Sequence, residues 1–143
     1  MTTSEPRYPL DWKYPATQEN VEQVCSAAEQ AFEKHALNRK DRFALNLLLR
    51  EALNNAVLHG CQKNPLLTFS CRLLFSDHEV IIEVSDEGAG FDWHKKPAIL
   101  TDNSADSGRG LPIYAIYAQL TKFNDAGNCV TLKRIINGGE KDG

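Results

Sequence analysis

Apolar residues return every three or four positions between Arg42 and Gly60. Phe43, Leu45, Leu48, Leu49, Ala52, Leu53, Ala56 and Val57 carry the pattern, which is the period of a helix with one face in a core. Glu51, Asn55 and His59 interrupt it at intervals of four and form a polar stripe beside the apolar one. One long helix over 42–60, stopped by Gly60, is therefore predicted. Upstream, Val21, Val24, Cys25, Ala28, Phe32 and Ala36 describe a second amphipathic helix ending near Leu37 or Asn38. Thr17 is its expected N-cap, with Glu19 in the first turn. Earlier still, Pro6, Pro9 and Pro15 exclude a helix, while Tyr8, Leu10, Trp12 and Tyr14 alternate as in an edge strand.

After Asn64 and Pro65 the period drops to two. Leu67, Phe69, Cys71, Leu73 and Phe75 alternate with polar residues. Ser76 to Glu79 make a turn, and Val80, Ile82 and Val84 continue into a second strand of a hairpin. Trp93 to Ser107 has no periodicity and is expected to be a mobile loop. Pro112 suits a first helical turn, and Ile113, Ile116, Tyr117 and Leu120 are the expected buried side of that helix. Leu120 to Phe123 and Cys129 to Ile136 read as a closing hairpin around Asp125-Ala126-Gly127-Asn128. With no repeat or linker, residues 1–143 are expected to form one α+β domain, frayed over 1–6 and 138–143.

Composition narrows the function. The formal charge is −3, and no basic stripe with interleaved aromatics exists, so direct nucleic-acid binding is not expected. No apolar run approaches membrane length and no signal peptide opens the chain, which leads to a cytoplasmic expectation with no membrane partner. Cys25, Cys61, Cys71 and Cys129 lack the paired spacing of a zinc or redox motif and read as reduced thiols. The histidines, His35, His59, His78 and His94, are equally scattered.

Chemistry concentrates in three stretches. A carboxylate and a carboxamide one turn apart, Glu51 and Asn55, can handle a proton and ligate a hard cation respectively; a solvated helix face is the plain alternative. In Asp86-Glu87-Gly88-Ala89-Gly90-Phe91 an acid leaves a buried strand and meets two residues that permit close ligand approach. Such an acid can accept a hydrogen bond from an exocyclic amine, although a tight turn reads the same way. Ser107-Gly108-Arg109-Gly110-Leu111 lies at a helix start, where bare amides attract phosphate and Arg109 can add charge-assisted bonds.

In this order the stretches resemble the GHKL ATPase superfamily, the Bergerat nucleotide fold of gyrase, Hsp90, histidine kinases and MutL. Glu51-Ala-Leu-Asn54-Asn55-Ala-Val-Leu-His59-Gly60 resembles its N box. Asp86-Glu-Gly88-Ala-Gly90-Phe91 resembles its first glycine box and Gly108-Arg109-Gly110-Leu111 its second. Within the superfamily, Asn-Ala-Val-x-His-Gly and Ser-Gly-Arg-Gly-Leu look most like the small anti-sigma-factor serine/threonine kinases of bacteria. The resemblance reaches Thr131 in the closing Val-Thr-Leu-Lys strand.

The resemblance implies a two-layer α/β sandwich, with helices on one face of a mixed, mainly antiparallel sheet. It implies ATP and Mg2+ as cofactors, with Asn55 as metal ligand and Asp86 bonded to the adenine amino group. Gly88 and Gly90 would give the base room. Gly108, Arg109, Gly110 and Leu111 would cradle phosphates beneath a lid made by 93–107, and His59 and Thr131 would shape the pocket. Glu51 would be the catalytic base acting on a serine hydroxyl of a small anti-sigma antagonist (STAS-domain) protein. A sigma factor and a second copy of the chain are further partners it allows. The competing expectation is a non-catalytic ATP-binding module that sequesters a sigma factor or another regulator; the retained Glu51 favours the kinase.

Overall fold

A computed structural model of the chain describes residues 8–90 and 111–136. The chain runs β1 (Tyr8–Pro15), α1 (Gln18–Lys34), α2 (Arg39–Asn55), a π-helical turn (Ala56–Gly60), β2 (Thr68–Phe75) and β3 (Glu79–Asp86). After the stretch outside the described residues come α3 (Leu111–Tyr117), β4 (Leu120–Phe123) and β5 (Cys129–Ile135). The five strands form one sheet in the order β1-β2-β3-β5-β4. Every pairing among them is antiparallel, so the described sheet has no parallel component.

Strand alternation decides which side is covered. Phe69, Cys71, Leu73 and Phe75 of β2 share a face with Val80, Ile82 and Val84 of β3 and with Val130 and Leu132 of β5, all buried. On that face lie Val21, Val24, Cys25, Ala28 and Phe32 of α1 and Leu45, Leu48, Leu49, Ala52 and Leu53 of α2, giving one continuous core. Each fully buried Leu or Phe contributes about 1.5–3 kcal/mol from removed apolar surface. Phe32 meets Phe75 across the layers with ring centroids 5.9 Å apart, a tilted contact favoured by the ring quadrupoles. The opposite face carries a polar row in register across all five strands: Asp11, Arg72, Glu83, Thr131 and Lys122.

Local signals account for most boundaries. Thr17 caps α1 by accepting from the Asn20 amide at 3.2 Å, and Asn38 caps α2 by accepting from the Asp41 amide at 2.7 Å. Helix α1 ends at Lys34, earlier than its periodicity predicts, because Ala36 turns left-handed at φ 56°. The end of α2 also differs from expectation. Gly60 does not stop it; the helix widens after Asn55, with the Cys61 amide bonded to the Ala56 carbonyl at 2.7 Å. The chain reverses only at Gln62 and Lys63, both at positive φ. In the short α3, Tyr114 is the buried residue, and Ile113 and Tyr117 pack partly buried against the core as expected. Ile116 is 69% exposed and Leu120, in β4, 42%, which corrects those two positions of the expected inner face. A seven-residue helix has too few turns for its period to choose a side. Phe43, placed on the inner face of α2 by its spacing, is also exposed, and lies edge-on to Tyr117.

Candidate functional site

The core opens at one end of the sheet into a cleft. Ala52, Asn55, Ala56 and Gly60 form its wall on α2 and the π-helical turn. Val84, Asp86 and Gly90 come from the end of β3, and Tyr114 from α3. Phe123 and Gly127 to Val130 close the side formed by β4 and β5. Wide π-turns recur at functional sites because they re-aim side chains without ending the helix. Here the turn brings Gly60 against the carboxylate of Asp86, where any Cβ would collide with it.

Backbone segments also approach one another closely beside the cleft. A Cβ on Gly88 would strike the Gly60 carbonyl, and one on Gly90, itself at φ +89°, would strike the Ala126 carbonyl. These glycines therefore make room for protein backbone, a packing demand beyond the task the resemblance implies for them. Gly90 still lines the cleft, whereas Gly88 does not. Asp86 is held by an Asx-type turn, its Oδ1 accepting from the Gly88 amide at 2.7 Å. Its own amide donates to the Asn128 carbonyl at 3.0 Å. The Asn128 carboxamide donates to the Gly88 carbonyl at 3.1 Å and accepts from Asn124 at 2.8 Å.

Asn55 Nδ2 donates to the Tyr114 hydroxyl at 3.1 Å. Burial pushes the Tyr114 phenol well above its ordinary range, against the lowering effect of the Asn55 bond, and the charge of Glu51 pushes it the same way as burial. The hydroxyl thus stays protonated, and Glu51 is near enough to act on it. Glu51 is half-buried one turn before Asn55 and is not on the cleft wall. His59 is half-buried on the π-helical turn and is not on that wall.

Thr131 is not brought to the site. It pairs with Glu83 and Lys122 in the polar row on the far face of the sheet. One position of alternation decides this, since Asn128, Val130 and Leu132 take the inner side. Gly108, Arg109, Gly110 and the expected lid lie outside the described residues, and Leu111 is described only as the first residue of α3. Tyr114 and Asn128 are the wall residues that sequence reasoning missed. Asn128 reads as a turn residue, yet its even-numbered place in step with Val130 and Leu132 was a usable signal.

The donor set suits a nucleotide. Apolar Ala52, Ala56, Val84, Phe123 and Val130 line a slot around one carboxylate, the arrangement that holds a flat base with one polar edge. Among the described residues no group of three or more His, Cys, Asp or Glu could form a metal cage. A hard cation bound through Asn55 alone would need its other ligands from phosphate and water, as magnesium does at nucleotide sites.

Over residues 14–134 the chain matches the histidine kinase-like ATPase domain. The match covers most of the chain, from the end of β1 to β5, and it includes all three glycine and polar stretches. The chain therefore belongs to the histidine kinase-like ATPase family, within the GHKL-type superfamily, whose domain binds ATP. No curated protein matches it. Among the described residues no helix is long and apolar enough to cross a membrane.

Proposed function

We propose that the chain is an ATP- and magnesium-dependent serine/threonine protein kinase of the anti-sigma kind, acting on a small anti-sigma antagonist protein in a partner-switching pathway. The observation that carries this reading is the pairing on α2: Asn55 on the cleft wall opposite Asp86, and Glu51 one turn behind it. An ATP-binding module without transfer chemistry has no use for a carboxylate there.

Asp86 accepts the adenine amino group, and the apolar walls take the faces of the base. Asn55 Oδ1 is the atom suited to magnesium, which when bound neutralises phosphate charge. The Gly108-Arg109-Gly110 stretch has the amides and the guanidinium to cradle the phosphates. Glu51 takes the proton of the partner's serine or threonine hydroxyl as that oxygen bonds to the γ-phosphorus. The bond to the β-phosphate oxygen breaks and ADP leaves. The added charge on the product weakens the complex with the antagonist, which frees the chain to hold a sigma factor; a homodimer is part of the same reading. Thr131 has no part in it.

Incubation with labelled ATP and the anti-sigma antagonists of the same genome tests this. Label on a serine or threonine of one antagonist is expected. ATP binding without transfer to any of them would replace the kinase with the sequestering module.

A further inference from the structure

We propose that Tyr114 is a positioning residue for Asn55: its hydroxyl holds the Asn55 amide nitrogen, so that the carboxamide presents its oxygen to the cation. The inference rests on the reading of Asn55 as magnesium ligand and adds the group that orients it. A carboxamide has two ends of nearly equal size and opposite chemistry, an acceptor oxygen and a donor nitrogen. Rotated by half a turn, Asn55 would offer N–H donors to a cation and repel it. The Tyr114 hydroxyl can donate as well as accept, so it does not choose between the two ends. The bond from Asn55 Nδ2, 3.1 Å long, ties the side chain in place through its nitrogen and leaves the oxygen for the cation.

Three features make Tyr114 suited to that task. It is only 2% exposed, so water does not compete for its hydroxyl. It reaches Asn55 from another element, 59 positions along the chain, and so it fixes the side chain against the helix that bears it. Its own helix is held at the far end, where Arg134 Nη1 donates to the Tyr117 carbonyl at 2.8 Å. Helix α3 begins at the residue after Gly110. The orienting group is therefore four residues beyond Gly110, the end of the stretch assigned to the phosphates. Metal ligands elsewhere depend on outer partners in the same way.

The test is calorimetric titration of ATP into the full chain and into Tyr114→Phe, each with magnesium and with EDTA. Tyr114→Phe keeps the ring and removes the bond to Asn55. The expected result is a three- to tenfold loss of affinity, roughly the worth of one neutral hydrogen bond, with magnesium present, and less than about a twofold change in EDTA. Equal losses in both conditions, or no loss in either, would overturn the proposal while leaving Asn55 as ligand. A parent chain that gains no affinity from magnesium would remove the Asn55 reading itself. Should Tyr114→Phe fail to fold, the parent decides the matter by NMR. A cross-peak between the Asn55 side-chain amide and the Tyr114 ring in the magnesium–ATP complex supports the orienting bond, and its absence there overturns it.

Discussion

Arg134 Nε donates to Asp41 Oδ1 at 2.9 Å, and both side chains are nearly buried, 11% and 7% exposed. The pair joins the first turn of α2 to the end of β5, and Arg134 also holds the last turn of α3 through the Tyr117 carbonyl. Removing one partner leaves an uncompensated buried charge, so Arg134→Ala should cost about 3–5 kcal/mol. Replacing both, as Asp41→Leu with Arg134→Met, should recover most of that loss. Urea unfolding of the three proteins measures it; a double variant no more stable than the single one would show that the charges themselves are not the cause.

Gly60 and Asp86 make a second coupled pair, because a Cβ at 60 overlaps the carboxylate. Gly60→Ala should keep the helical circular dichroism yet weaken ATP binding about as much as Asp86→Asn does. Losing a hydrogen bond to a charged group in a part-buried site costs on the order of 1.5–3 kcal/mol, roughly ten- to a hundredfold in affinity. Calorimetry with ATP and GTP reads both variants. Unchanged ATP affinity in Asp86→Asn would move the base elsewhere.

Glu51 separates transfer from binding. The cleft wall holds Asn55 and Asp86 but not Glu51, so Glu51→Ala should keep ATP affinity within a few fold of the parent. Loss of a general base lowers the transfer rate by about a hundred- to ten-thousandfold. Single-turnover transfer to the unphosphorylated partner compares the two proteins. Undiminished transfer would take Glu51 out of the mechanism.

His35 gives the fold a pH dependence. Its ring stacks on Phe75 at 4.1 Å, nearly parallel, and burial, helped by the charge of Lys34, holds its pKa below the ordinary value of 6.5. A base depressed on folding binds fewer protons folded than unfolded. Its contribution is therefore complete well above pH 6.5 and declines as the pH falls through the ordinary histidine range toward the folded value. The urea midpoint of the parent should drop between about pH 7.5 and about pH 5.5, and less so in His35→Gln. Equal drops would assign the dependence to other groups.

Local sequence was enough for most of the elements and for the family. Period 3.6 over α1 and α2, period 2 over the β2–β3 hairpin, and caps such as Thr17 are local properties that chain neighbours impose on one another. The polar and glycine stretches were equally legible, since Asn55, Asp86 and Gly90 are brought to one cleft as their order suggests. The tertiary structure decided what each residue faces across the fold. It set Thr131 on the far side of the sheet, because alternation counts from a register that only pairing with β3 and β4 establishes. It set Gly88 against the Gly60 backbone and Gly60 against the Asp86 carboxylate, which depends on the distance between segments remote in sequence. It also chose Tyr114 over Ile116 as the buried residue of α3, and with it the partner of Asn55. A hydrogen bond across 59 positions leaves no local pattern, because neither residue's neighbours carry any record of the other.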